Sequence, residues 1–410
     1  MQKNNRLFLY TILFGVFWTK AAAILSMPFL TLFLHHKIKL SLTMIGLIVG
    51  LQPLAICIGG LVGGYFSDIF KKRTIMIFSV LASGVIFICF YLISYIKFIE
   101  IQIILFALFN LLNGFSSAFF TPISRVILTE LAQTPEENIK FMHMRYIAIN
   151  LSAAIGPLLG AYAGIAANAE AFLLTSIAYF IYFFILVGSL KKFQLDDKKE
   201  YVENKISHFL NAFSIHIKNR AFLYLLISTS IFSMIYVQMN TNLALIISDN
   251  FIDGTLFFSW MLSLNAIIVI ILQPFIYLIT KKMRQKNVFM TGFIINLLAG
   301  SCLLFTPISK HLIVSFVIFL SISEILIFPV SGVLTAELAG EKNKGVAFGL
   351  LDLTNLGAAI GPLAGGLLLQ NYSTKGFAWG FIIFTLFSLF FTVRKIKSQK
   401  PHIEAKANTF

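Results

Sequence analysis

Charge is scarce in this chain: only 12% of its 410 residues are Asp, Glu, Lys or Arg, against about 25% in soluble domains. So few charges cannot build a water-facing surface. With 58% hydrophobic residues and a mean hydropathy of +0.87, the chain reads as an integral membrane protein. Cysteine is nearly missing. Cys57, Cys89 and Cys302 all fall in apolar runs without metal-ligand spacing, so they read as small packing residues. The seven histidines are scattered except for the adjacent His35-His36, and the clustered acids or histidines of a polytopic membrane enzyme are lacking. There is no Gly-x4-Gly-Lys-Ser/Thr loop to cradle a nucleotide, which disfavours an ATP-driven pump. Period-2 alternation is also lacking, which excludes an outer-membrane barrel. The expectation is an all-α protein with no cofactor, no metal site and no enzymatic activity.

What the chain does have is apolar length. About twelve runs reach the roughly 20 residues a helical span needs: 7–34, 42–67, 74–96, 101–130, 142–166, 169–190, 220–247, 254–280, 287–307, 311–338, 345–370 and 374–393. Lysine and arginine sort by side. The termini and the even-to-odd loops hold 25 of the 32, the opposite loops hold five, and Lys20 and Arg125 fall inside spans. By the positive-inside rule both termini are cytoplasmic. The net charge of +15 then reflects topology and anionic headgroups rather than nucleic acid. The apolar run at the N-terminus is too long for a cleavable signal, so the first span is expected to be retained. The halves are read as 1–190 and 220–393, with a cytoplasmic linker at 191–219 and a tail at 394–410. Within the linker, Ile206, Phe209, Leu210, Phe213 and Ile217 form one stripe of an interfacial helix.

The halves repeat one another. Asn150-Leu-Ser-Ala-Ala-Ile-Gly156-Pro157-Leu-Leu-Gly160 returns as Asn355-Leu-Gly-Ala-Ala-Ile-Gly361-Pro362-Leu-Ala-Gly365, displaced by 205 positions. Pro122 to Ala132, closing span 4, is echoed by Pro329 to Ala339, closing span 10, displaced by 207. Matching spans lie six apart, an even number, so the halves keep one orientation about a pseudo-two-fold along the membrane normal. In each repeat, proline removes a backbone donor and bends the helix while glycine makes room for a neighbour.

At the end of span 2 stands Gly60-Leu-Val-Gly63-Gly64-Tyr-Phe-Ser-Asp68-Ile-Phe-Lys71-Lys72-Arg73. It resembles the span 2–3 loop signature of the major facilitator superfamily. The Gly-Pro-x-x-Gly runs in spans 5 and 11 resemble the antiporter motif of its drug/proton antiporter branch. The resemblance covers the whole chain. It implies the twelve-helix fold in two pseudo-symmetric six-helix halves, and alternating access around a central site. For Gly64, Asp68, Lys72 and Arg73 it implies a gate, with Asp68 meeting the positive N-terminal end of span 11 near Gly345; ordinary solvated pairing is the plainer reading. The sequence also departs from the pattern. Where proton-coupled members carry Arg-x-x-Gln-Gly in span 4, this chain has Asn110-Leu-Leu-Asn113-Gly114.

Ionisable residues inside spans are expensive and default to functional candidates. Lys20 lies near the middle of span 1 and Glu324 near the middle of span 10, both of which line the cavity in this superfamily. A titrating pair, or contact with substrate, competes with structural pairing or snorkelling. Arg125, in span 4, has Gly332 as its counterpart; it suits an anionic substrate or a bridge to Glu130 or Asp352. Arg145 reads as a snorkelling end residue. Gln238 and Asn242, four apart in span 7, place a polar stripe toward the cavity or toward a neighbouring helix. Asn113 is a further candidate. Trp18, Phe120 and Tyr236 are nominated as aromatic platforms by span membership alone. The sequence predicts a secondary transporter in a bacterial cytoplasmic membrane, working as a monomer in the bilayer and exporting an amphipathic small molecule in exchange for protons. Export of a specific metabolite or siderophore, and nutrient uptake, are the alternatives.

Overall fold

A computed structural model describes residues 3–69, 72–190, 214, 216, 218–305, 308–339, 347 and 350–395. The linker, its interfacial stripe and the tail lie essentially outside the described residues, as does Gly345. Among the described residues every regular element is helical. An apolar chain facing lipid must satisfy its backbone groups within each segment, and helices do so.

The elements are α1 (Lys3–Ser26), α2 (Leu30–His36), α3 (Leu42–Ile69), α4 (Lys72–Ile93), α5 (Ile99–Leu131), α6 (Pro135–Tyr162), α7 (Ala169–Leu190), α8 (Arg220–Tyr236), α9 (Asn242–Asn250), α10 (Gly254–Thr280), α11 (Gln285–Cys302), α12 (Lys310–Ala339) and α13 (Asn355–Lys395). Among the described residues, nine helical stretches are long and apolar enough to cross a membrane, fewer than the twelve spans expected. The difference has physical causes. Helix α6 opens on a polar stretch and carries His143 and Arg145. Helix α11 gives its first turn to Gln285, Lys286 and Asn287 and has only 18 residues. Helix α13 runs through the last two expected spans, broken at Ser373 with φ 59° and ψ −170°.

The chain divides into two compact units. The first combines Met1–Glu200 with Leu243–Ala266, and the second combines Tyr201–Asn242 with Ile267–Phe410. In the first unit phenylalanines do much of the packing. Phe90 stacks on Phe106 at 5.6 Å between centroids, and Phe33 meets Phe172 edge-on at 5.3 Å. Small residues and hydroxyls join helices where no hydrophobic drive exists in lipid. Ser116 donates to the Ser79 carbonyl at 2.6 Å, and Ser176 to that of Gly84 at 2.6 Å. The segment Leu243–Ala266 is held in this unit by specific contacts. Ser263 donates to the Ala154 carbonyl at 2.7 Å, and Phe258 meets Phe29 edge-on at 5.8 Å.

The second unit is built around Phe232, Phe289, Phe293 and Ile327 from α8, α11 and α12, all fully buried. Asn296 donates to Thr385 at 2.9 Å. Ser228 and Ser388 each donate to the other's carbonyl, at 3.1 and 3.2 Å, fastening α8 to α13.

Candidate functional site

The duplicated glycine-proline runs are helix contacts. In the first unit, a methyl on Gly156 would stand 3.0 Å from the Ala21 carbonyl oxygen, and one on Gly160 3.0 Å from that of Leu25. In the second, a methyl on Gly361 would stand 2.6 Å from the Met234 carbonyl oxygen, while Gly365 lies against Gln238 and Asn242. So α6 packs on α1 as α13 packs on α8. Ala21 to Met234 and Leu25 to Gln238 are each a step of 213 positions, which aligns spans 1 and 7 by packing where their sequences show no obvious match. Both spans also break near equivalent places, at the 3-10 turns Met27–Phe29 and Val237–Asn240. After the second turn Thr241 leaves helical geometry at φ −124°, ψ −88°.

Gln238 and Asn242 are buried at that break. Gln238 Nε2 donates to the Gly361 carbonyl at 2.7 Å; Asn242 Nδ2 donates to Gln238 Oε1 at 2.6 Å and to the Pro362 carbonyl at 3.2 Å. The stripe therefore clasps the glycine-proline run of α13, and its hydrogen bonds lie between helices. Leu25 and Phe29 take the equivalent places in the first unit, so the clasp is made once. Gln238→Leu and Asn242→Leu should each cost about 1–2 kcal/mol. Because Asn242 donates to Gln238, the double variant should cost less than the sum of the two, measured as melting temperatures in detergent.

Asn110 and Asn113 account for span 4. Asn110 Nδ2 donates to the Ile48 carbonyl at 2.8 Å, and a methyl on Gly114 would strike the Gln52 carbonyl oxygen and Ala55, so this face of α5 is fitted to α3. Asn113, also buried, has its Nδ2 3.7 Å from Met27 Sδ, at the break of span 1. Gly64 carries no side chain, and that of Asp68 lies outside the described residues. Lys72 donates to Glu130, joining the start of α4 to the end of α5; Glu130 is thus the partner of Lys72 rather than of Arg125. Arg73 is half-buried.

The cations of the first unit converge. Arg125 is exposed, Lys20 half-buried and Arg145 buried at 9% exposure. Lys20 stands close enough to Arg145 to be repelled by it, and Arg145 close enough to Arg125. Among the described residues no carboxylate pairs with any of the three, and Arg145 Nε is buried without a hydrogen-bond partner. An unpaired cation is costly in a low-dielectric setting, and like neighbours add to the cost. All three belong to one half. The 213, 207 and 205 steps pair Lys20 with Ser233, Arg125 with Gly332 and Arg145 with Leu350. The position of Arg145 along span 5 predicts snorkelling, whereas the packing of α6 buries it.

Glu324 lies half-buried at the middle of α12, beside Ser323, which donates to the Gly292 carbonyl at 2.9 Å. It belongs to the second unit and Lys20 to the first, and each is placed within its own unit. The aromatic nominees are packed: Trp18 Nε1 donates to the Ala178 carbonyl at 2.8 Å, Phe120 meets Tyr182 edge-on, and Tyr236 meets Phe328 edge-on at 5.3 Å. His35 and His36, adjacent in sequence, end α2. Asp249, which the 213 step pairs with His36, lies 3.6 Å from His35 Nε2.

Duplicated glycine-proline helix contacts, a broken first span in each half and a buried cation fit a multi-span membrane transporter. The family model of the Major Facilitator Superfamily matches residues 7–251 and 241–409, and the chain belongs to that family. The uncharacterized MFS-type transporter YqjV of Bacillus subtilis (strain 168) is 27% identical over 367 residues, 88% of this chain and 86% of its own. A Na(+), Li(+), K(+)/H(+) antiporter of Planococcus maritimus is 21% identical over 409 residues, covering 92% of both chains. Among solved structures, the nucleoside transporter NupG superposes with a TM-score of 0.77 at 12% identity, over 95% of this chain and 98% of its own. A peptide transporter POT in complex with sulfate gives 0.71 at 17% identity, over 94% of both.

Proposed function

We propose that this protein is a secondary active transporter working by alternating access, and that it exports amphipathic small molecules bearing an anionic group in exchange for protons. The observation that carries the substrate class is the group of cations Arg125, Lys20 and Arg145, respectively exposed, half-buried and buried, which have no paired acid among the described residues. A binding site that must recognise an anion cannot neutralise its own cations, and such a site keeps a cost that substrate relieves. Proton exchange is supported by the duplicated glycine-proline runs and by the cation/proton antiport named for the Planococcus relative. Glu324, at mid-helix in α12, is the proton carrier in this reading. Twelve spans in two six-helix halves, cytoplasmic termini, a bacterial cytoplasmic membrane, a monomer and a gate at Asp68 complete it.

The test is uptake of a panel of fluorescent amphipathic anions and cations into proteoliposomes under an imposed pH gradient. Anions should be moved in preference to cations, and Glu324→Gln should reduce gradient-driven flux at least tenfold. Equal transport of both signs would remove the anion assignment. Undiminished proton-driven flux in Glu324→Gln would remove that residue from coupling.

A further inference from the structure

The last turn of α2 and the end of α9 carry three potential metal ligands that no part of the transport reading uses. One nitrogen each from His35 and His36 and one carboxylate oxygen of Asp249 all lie within 4.8 Å of one another. His35 Nε2 stands 3.6 Å from Asp249 Oδ1, and the two imidazole rings are 4.9 Å apart between centroids. In a tetrahedral site with metal–ligand bonds of about 2.0–2.2 Å, the ligand atoms sit roughly 3.3–3.5 Å apart. The His35–Asp249 pair already has nearly that spacing. His36 must close by about 1.5 Å at most, within the reach of a side-chain rotation.

We infer that His35, His36 and Asp249 form a binding site for a divalent transition-metal ion of the zinc class. Two imidazoles and one carboxylate select zinc, nickel or copper over magnesium and calcium, which take oxygen ligands. Three protein ligands leave the fourth position of a tetrahedral ion open to water. His36 and Asp249 are exposed, so the ion can enter from solution. Lys37 and Lys39 follow the pair of histidines in sequence, and their charge opposes a cation and weakens its binding.

The ion ties two parts of the chain that lie far apart in sequence. Asp249 ends α9, which follows the break at Thr241 and packs within the first unit, while the histidines end α2. A bound ion therefore clips α9 to α2. Any conformation in which α9 leaves α2 must release it, so the metal holds the present packing and slows turnover.

The experiment uses the full chain with any purification tag removed, in detergent micelles near neutral pH, titrated with zinc chloride. Expected are one zinc ion bound per chain, a melting temperature raised by a few degrees at saturating zinc, and no shift with the same concentration of magnesium. Asp249→Asn and His36→Ala, both at exposed positions, should weaken zinc binding at least tenfold each. His311→Ala, at the start of α12, should leave binding unchanged. Zinc bound with undiminished affinity by Asp249→Asn and by His36→Ala lies elsewhere on the chain and overturns the assignment. So does failure of the wild-type protein to bind zinc.

Discussion

Gly361→Leu is expected to cut accumulation of the folded protein sharply. The first carbon of any side chain at this position would stand 2.6 Å from the Met234 carbonyl oxygen, with the Val237 side chain equally near. Met234 lies in α8 and its oxygen is backbone, so nothing flexible can swing away; the whole helix pair must separate. Overpacking of this kind costs about 1–3 kcal/mol where side chains yield and more where backbone must move. Separation would also break the Gln238 and Asn242 hydrogen bonds to the Gly361 and Pro362 carbonyls. The combined cost exceeds about 3 kcal/mol, a large fraction of the roughly 5–15 kcal/mol that holds an ordinary protein folded. Gly156→Leu, where the first contact is at 3.0 Å, should be less damaging. Gly188→Ala in α7, with nothing within 4 Å, should be neutral or slightly stabilising, since alanine favours helix. Yield of monodisperse protein in size-exclusion chromatography, with melting temperature, ranks the three. Equal yields for all three would show that the glycines are not contact points.

That ranking bears on how much of the molecule was legible in the amino-acid sequence. The helical class was, because apolar runs of span length admit little else. The repeat was as well, because glycine and proline cannot be replaced at close helix contacts without the penalty just described. The correspondence of spans 1 and 7 was not legible. It is carried by backbone carbonyls, at Ala21 and Met234 and at Leu25 and Gln238, and a carbonyl leaves no mark in the identity of its residue. Gln238 and Asn242 could be read as polar residues on one face, but whether that face met a cavity or a helix depended on which helix packs opposite. Arg145 was misjudged for a related reason. Its distance from the end of a span suggested snorkelling, whereas the fold of α6 buries it at 9% exposure. Asp249 escaped notice because its partners are two hundred residues away and its link to them is purely spatial.

Arg145→Met should raise the melting temperature of the substrate-free protein while removing transport of anions. Two effects of the same charge are being separated. Arg145 is buried, and among the described residues its Nε has no hydrogen-bond partner and the charges acting on it and on Lys20 are other cations. Replacing such a group by an apolar side chain of similar length removes an uncompensated charge, a change that stabilises other buried ionic sites by about 1–4 kcal/mol. A gain of about 1–2 kcal/mol is expected here, because the methionine stem keeps most of the packing while relieving repulsion. An anionic substrate would lose one of three converging cations, and removal of a single buried charge partner typically costs 2–5 kcal/mol in binding, or at least about thirtyfold in apparent affinity. Arg145→Lys, which keeps the charge, should restore part of the transport without the gain in stability. The opposite pattern, lower stability with transport intact, would make Arg145 a packing residue and leave the anion assignment resting on Lys20 and Arg125. A residue whose removal steadies the resting protein and stops its work is held for the ligand, and melting temperature and flux measured on one set of variants distinguish that role from a structural one.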